Sequence, residues 1–394
     1  MGSHPASQWR QLSVAVVGGG IGGMSTAISL RRAGHDVAIY ERNDFAGEVG
    51  ASVSCAANLT RWLHEWGVDI EKGDPVHMHR MLKDCALQGS PAELLVNHSC
   101  KDIKLENGVI TFSNGYMAQH DLVVGADGIG SIVRKIIGLN TEKRASDSSC
   151  LHANVRTEDT VRLGLVDYSQ DSALEYWGGQ EGKWDKIVLS PCNGGKLLSY
   201  YCFFPRTQGE CINHAWGGEN RPVEELLAPY PELDAQVKAH LARGTEIQPW
   251  RLWVQPTLAR WAMLVIPYVF FRYTCCDLAN ATEMMPHQSQ GACAAIEDAA
   301  ALGILFSPNY FRGDIKEAPS VYEEVRLPRV TKIQAAVAKA ATNINERIGF
   351  PSDTNNPNYK VEDEKKKLTI EEMNAYDMYK DIDEAFARRR NVPF

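Results

Sequence analysis

The stretch "LSVAVVGGGIGGMSTAISLRRAGHDVAIYER", Leu12 to Arg42, governs how the rest of the chain is read. Val14 to Val17 form a short apolar, β-branched run of the kind carried by a strand buried on both faces. Gly18, Gly20 and Gly23 follow as G-x-G-x-x-G. Met24 to Ala33 then continue as an amphipathic helix ended by Gly34, and Val37 to Tyr40 make a second strand. Glu41 closes the unit 23 positions after Gly18, where a carboxylate can accept hydrogen bonds from an adenosine ribose. Gly18 allows the tight turn, Gly20 lets the backbone approach a pyrophosphate, and Gly23 permits close helix–strand packing. The helix N-terminus offers free N–H groups to the phosphates. This order of elements predicts a dinucleotide-binding unit, the alternative being a chance glycine-rich turn. It leaves FAD and NAD undecided, and only its N-terminal position leans toward FAD by analogy.

Working outward, 394 residues suit two domains, one of them discontinuous. A hydrophobic content of 44% and a charged content of 23% are those of an ordinary globular protein. With 41 basic residues against 49 acidic ones the formal charge is −8, which argues against a nucleic-acid surface. The ten cysteines are scattered without a CxxC pair, so no metal site is expected and free thiols in a reducing compartment are the plain reading. The N-terminus "MGSHPASQWRQ" has no long apolar run, so a cytoplasmic location is expected. "WAMLVIPYVFF", Trp261 to Phe271, falls short of the roughly 20 residues of a membrane span and is interrupted by Pro267. It predicts a buried strand or strand pair.

A second nucleotide signal is "DLVVGADGIGSIVR", Asp121 to Arg134. An apolar strand ends in Gly125-Ala126-Asp127-Gly128, and a helix begins near Ser131. Such a turn puts a carboxylate at the C-terminal edge of a strand, where ligands sit in open α/β sheets. An ordinary turn using Asp and Gly for their local geometry is an equal alternative.

Three motifs in order, the N-terminal glycine unit with Glu41, "GADGIGSIVR" and "MMPHQSQGACAAIEDAAAL", resemble the single-component FAD-dependent aromatic hydroxylases. The nearest types are salicylate hydroxylase and 6-hydroxynicotinate 3-monooxygenase, in a fungal style, and the resemblance runs from Val14 to Arg347. It implies an α/β fold: a Rossmann-like FAD-binding domain with a parallel sheet, plus a mixed-sheet substrate domain. The corresponding division is 1–150 and 273–350 for the FAD-binding domain, 151–272 for the substrate domain, and 351–394 for a charged helical tail. The implied reaction uses NADH or NADPH to reduce the flavin and inserts one atom of O2 into a phenol or aromatic acid. The implied setting is secondary metabolism.

By motif matching, Gly18, Gly20, Gly23 and Glu41 hold the ADP part of FAD, and Asp127 and Gly128 serve the pyrophosphate and the pyridine nucleotide. Pro286 and Gly291 of "PHQSQG" belong to the loop and helix start beside the flavin ring, with Asp277 toward the ribityl chain. Tyr200 of a "YY" pair and His287 are the implied substrate contacts, and Tyr201, His214 and Trp216 are further aromatic candidates in the middle domain. The substrate domain is expected to hold antiparallel strands and a helix from Pro222 to about Arg243.

The chain departs from the family pattern in two places. "CDLANATEMMP" stands where a glycine-aspartate turn is usual, with Cys276 for the glycine and Asp277 nine positions before Pro286. "EKGDPVHMHR" runs straight into a helix where the family has a long excursion, so the FAD role of its arginine is not carried to Arg80. His77 and His79 are read as surface or core histidines, and Ser54 replaces a histidine of the nicotinate-type relatives. These departures keep open a second function class: an impaired flavin-fold relative acting as a binding module. The tail from Lys360 reads as an exposed helix with a solvated face, with a homodimer contact as the alternative.

Overall fold

The computed structural model describes residues 8–45, 55–68, 78–89, 92–105, 107–128, 130–139, 144–171, 174–178, 185–205, 220–250, 252–254, 262–265, 268–272, 290–341, 343–349, 354–355, 357 and 359–390. The first part runs β1 (Ser13–Val17), α1 (Ile21–Arg32), β2 (Asp36–Tyr40), α2 (Ala57–Trp66), α3 (Met78–Ala86) and β3 (Glu93–Leu95). It continues through β4 (Cys100–Lys104), β5 (Val109–Phe112), β6 (Met117–Gln119), β7 (Leu122–Gly125) and α4 (Ile132–Ile136). The middle runs β8 (Arg144–Ala145), β9 (Ser148–Arg156), α5 (Thr157–Arg162), β10 (Leu174–Gly178), β11 (Asp185–Cys192) and β12 (Leu197–Pro205). It closes with α6 (Val223–Leu227), α7 (Ala235–Leu241), β13 (Thr245–Trp250) and β14 (Trp253–Val254). The last part holds β15 (Ala262–Val265), β16 (Tyr268–Arg272), α8 (Gln290–Leu305), α9 (Glu317–Ala340), α10 (Ile370–Asn374) and α11 (Met378–Arg390).

β1 sits at the middle of a six-stranded sheet of order β15-β16-β7-β1-β2-β3. It pairs in parallel with β2 (Val17 opposite Tyr40) and with β7 (Val17 opposite Gly125). Its apolar run is explained by cover on both faces. Val14 and Val16 pack with α1, α2, α8 and α9, while Ala15 and Val17 pack with Tyr40, Ile110 and Phe112 against the three-stranded sheet β4-β5-β6. Burying one such valine is worth about 1.5–3 kcal/mol.

α1 is not amphipathic, as its polar residues suggested, but buried without a break from Ile21 to Leu30. α8 lies on it so closely that Ser29 Oγ donates to the Ala299 carbonyl at 2.6 Å, and a Cβ on Gly303 would come 2.7 Å from Ser29 Cβ. Small residues and a satisfied hydroxyl therefore replace the solvent face.

The second sheet is antiparallel, of order β10-β11-β12-β9-β13. One of its faces, with Leu151, Ala153, Tyr200 and Cys202, packs on Leu226, Val237 and Leu241 of α6 and α7. The single helix expected from Pro222 is broken into these two, because Pro229 and Pro231 lie between them and cannot continue a helix. β15 and β16 form the predicted strand pair, and β16 pairs in parallel with β7 at the edge of the six-stranded sheet. The tail keeps a solvated charged face but is not an exposed helix throughout: Leu368, Met373, Met378, Ile382, Ala385 and Phe386 join the main core. Among the described residues, no helix is long and apolar enough to cross a membrane.

Candidate active site

The two glycine turns expected to hold a nucleotide meet in space. Gly18 has φ +105°, and a Cβ there would lie 2.3 Å from the Ala126 carbonyl oxygen and 2.8 Å from Asp127 Cα. Only a glycine allows β1 and β7 to end this close together. A Cβ on Gly23 would fall 1.9 Å from the Gly18 carbonyl oxygen, so Gly23 presses the first turn of α1 onto the loop. Gly20 differs: a Cβ there meets nothing within 4 Å. It is the N-cap of α1, with no side-chain cap and no acidic residue in the first turn. Open space therefore stands at the N-terminal end of α1, on the positive side of the helix dipole, which fits a diphosphate.

Glu41, at the end of β2 and 8% exposed, accepts from the Gly19 N–H at 2.6 Å through Oε2 and from the Asn43 N–H at 2.9 Å through Oε1. Each oxygen keeps a lone pair for a further donor such as a ribose hydroxyl. His79, read from sequence as a plain surface or core histidine, hydrogen-bonds the Gly19 carbonyl through Nε2 at 2.6 Å, and its ring lies 5.1 Å from that of Phe45. No short-range pattern ties His79 to the glycine loop; the link exists because α3 packs on α1. Arg80 is exposed.

Asp127 shapes its own turn. Its Oδ1 accepts from Ser131 Oγ at 2.6 Å, and its Oδ2 from the N–H groups of Ile132 and Val133 at 2.7 and 3.2 Å. Burial pushes its pKa up, with the Ser131 hydroxyl and the two amides pulling it back. The carboxylate thus caps α4 and fixes the adjoining Gly128, whose φ is +72°. Gly291 lies buried in the first turn of α8. Asp277, Pro286, His287, His214, Trp216, Ser54 and His77 lie outside the described residues.

Tyr200 does not sit where a substrate contact was expected. It is 1% exposed in the core under α6 and α7, with its hydroxyl 3.0 Å from His240 Nδ1. The next residue, Tyr201, faces the opposite side of the sheet, because successive strand residues alternate. There it meets Cys150, Phe203, Trp250 and Leu252. On the same face His152 stacks on Trp250 at 5.3 Å and lies 4.9 Å from the Tyr201 ring, with Nε2 2.8 Å from Ser199 Oγ. Burial drives the His152 pKa down to about 4, so the imidazole is neutral at neutral pH. Gln248 is paired with His152 across the strands, and its Oε1 is buried with no donor among the described residues. Sequence reading missed His152 and Gln248, since a lone histidine in a strand carries no motif.

Residues 13–114 match the FAD dependent oxidoreductase family. The FAD-dependent monooxygenase cfoG of Aspergillus candidus is 26% identical over 381 residues, covering 82% of this chain and 84% of that protein. The 3-hydroxybenzoate 6-hydroxylase of Klebsiella oxytoca is 26% identical over 360 residues, covering 81% and 85%. Among solved structures, a salicylate hydroxylase substrate complex superimposes with a TM-score of 0.68 at 19% identity, covering 95% of this chain and 98% of the other. In sequence the chain is similar to FAD-dependent monooxygenases and aromatic hydroxylases, and its architecture is the fold of those enzymes.

Proposed function

We propose that this protein is an FAD- and NAD(P)H-dependent monooxygenase that inserts one atom of O2 into a phenol or aromatic-acid ring. The observation that carries this reading is the contact of the Gly18 turn with the Ala126–Asp127 turn beside the open space at Gly20, the N-cap of α1. Bound FAD supplies the electron transfer and oxygen activation that side chains lack. Gly18, Gly20 and Gly23 bring the loop and the α1 N–H groups to the pyrophosphate. Glu41 takes the ribose, and Asp127 holds Gly128 in its turn through the α4 cap. Gly291, with Pro286 and Asp277 ahead of it in the chain, brings the positive end of the α8 dipole to the flavin ring.

In this reading the substrate ring lies on the sheet face that carries His152, Tyr201 and Trp250, and His287 keeps the substrate role that its motif implies. Tyr201 and Trp250 offer aromatic surface. The neutral His152–Ser199 pair holds a proton between Nε2 and Oγ, and Gln248 Oε1 accepts from a ring hydroxyl or amine. An unpartnered buried acceptor favours substrates that donate there.

One observation favours a second reading, an impaired relative that binds without turning over. α2 ends at Trp66 and α3 begins at Met78, leaving no length for the excursion that brings an arginine to FAD in the family. The test is the visible spectrum of the purified chain with and without FAD, followed by NAD(P)H oxidation across a panel of phenols and benzoates. A bound-flavin spectrum with ring-stimulated oxidation is the expected result. A colourless protein that takes up no FAD overturns the first reading and leaves the second.

A further inference from the structure

A buried charge cluster links the C-terminal segment to the start of α8. Glu297 and Asp298 of α8 are fully buried. Arg326 on α9 answers both, with Nη2 2.8 Å from Glu297 Oε2 and Nε 2.7 Å from Asp298 Oδ1. Arg329, about one turn on, donates to Glu297 through Nε at 2.7 Å and Nη2 at 2.6 Å. Burial alone would push the Glu297 pKa up, but the two arginines and Asn58 more than offset it and hold the group below its ordinary value. Asn58 Nδ2 donates to Glu297 Oε1 at 2.9 Å and makes a longer contact, 3.4 Å, with Oε1 of Gln290 in the first turn of α8.

The tail closes this cluster from the far side. The Tyr376 ring centroid is 3.7 Å from the Arg329 guanidinium carbon and 5.5 Å from that of Arg326. The Met373 carbonyl accepts from Arg329 Nη2 at 3.1 Å. Arg388 and Arg389 bind Glu324 on the outer side of α9 at 2.9 Å each, which pins α11 in place. Arg329 is therefore held between a carboxylate and an aromatic face, an arrangement that suits a planar, weakly hydrated guanidinium. Removing the ring opens that pair to water.

We propose that Tyr376 is a positioning residue of the flavin site, acting through Arg329, Glu297 and Asn58 on Gln290 and the first turn of α8. The segment 359–390 is then a working part of the cofactor site. The inference rests on the reading of that first turn as flavin-facing.

The test uses the full chain with Tyr376→Leu and Tyr376→Phe. FAD affinity is read by flavin fluorescence, and hydrogen exchange is followed at the amides of Ala294 to Glu297, which bond to the first-turn carbonyls. Tyr376→Leu is expected to weaken FAD binding and speed this exchange by about tenfold each. Tyr376→Phe keeps the ring and is expected to stay within about twofold of the parent. A Tyr376→Leu variant that melts earlier yet keeps the parent's exchange rate and FAD affinity makes the tail merely structural and overturns the proposal. So does Tyr376→Phe behaving like Tyr376→Leu. If Tyr376→Leu does not fold, Asn58→Ala, midway along the relay, must show the same paired signature, and its absence overturns the proposal. If the parent takes up no FAD, the cofactor reading fails separately, and unchanged exchange in the variant still refutes the relay.

Discussion

Gly20→Ala and Gly23→Ala, three residues apart in one loop, are predicted to fail in different ways. Gly20 has φ −73° and ψ −173°, which alanine adopts freely, and a Cβ there touches nothing. The weaker N-cap costs about 0.5–1 kcal/mol, and the smaller unfolded-state entropy of alanine returns about as much. The apoprotein should therefore melt within roughly 2 °C of the parent. The added methyl nevertheless occupies the space before the α1 N–H groups. Losing one hydrogen bond to a charged phosphate costs about 1.5–3 kcal/mol, or about 10–150-fold in FAD affinity. Gly23→Ala instead drives a methyl to 1.9 Å from the Gly18 carbonyl oxygen, where the neighbour is backbone and cannot turn away. Overpacking of this kind costs about 3 kcal/mol, or roughly 6–12 °C of melting temperature, before any ligand is added. The assay is apoprotein thermal melting alongside a flavin fluorescence titration for each variant. Parent-like FAD affinity in Gly20→Ala, or equal thermal losses in both, would refute the assignment of the open space to a diphosphate.

Three further outcomes follow from the geometry. Arg326→Met leaves the buried Glu297–Asp298 pair with less than its full charge compensation and should cost about 3–5 kcal/mol in thermal melting; a loss below 1 kcal/mol, roughly, would mean that water reaches the cluster. His152 has a folded pKa lowered to about 4, so the unfolded chain binds its proton first as pH falls. Stability should drop between about pH 6.5 and that value by about 3 kcal/mol, and His152→Gln should flatten this part of the melting-versus-pH curve. Tyr200→Phe removes the bond to His240 and should cost about 1 kcal/mol without changing KM, whereas Tyr201→Leu should raise KM for the aromatic substrate at similar stability. The reverse pattern in steady-state kinetics would return the substrate role to Tyr200.

The sequence by itself determined what depends on local backbone geometry. A glycine forced by φ +105° at residue 18, an acid at the end of the second strand and a helix capped at Ser131 are short-range requirements, and each is written in neighbouring residues. The breaks at Pro229 and Pro231, which divide the expected helix into α6 and α7, are equally local. Tertiary structure alone decided the rest. In the "YY" pair, one step along β12 exchanges the helix-covered face for the aromatic one, and composition does not reveal which tyrosine goes where. His79 reaches the glycine loop, and Tyr376 reaches Arg329, across spans of 60 and 47 residues. The charged tail docks because its few apolar residues, spaced along two helices, are buried against a core assembled from α8 and α9 while its charged residues stay mostly exposed. Such contacts come from packing between distant segments, which no pattern within either segment records.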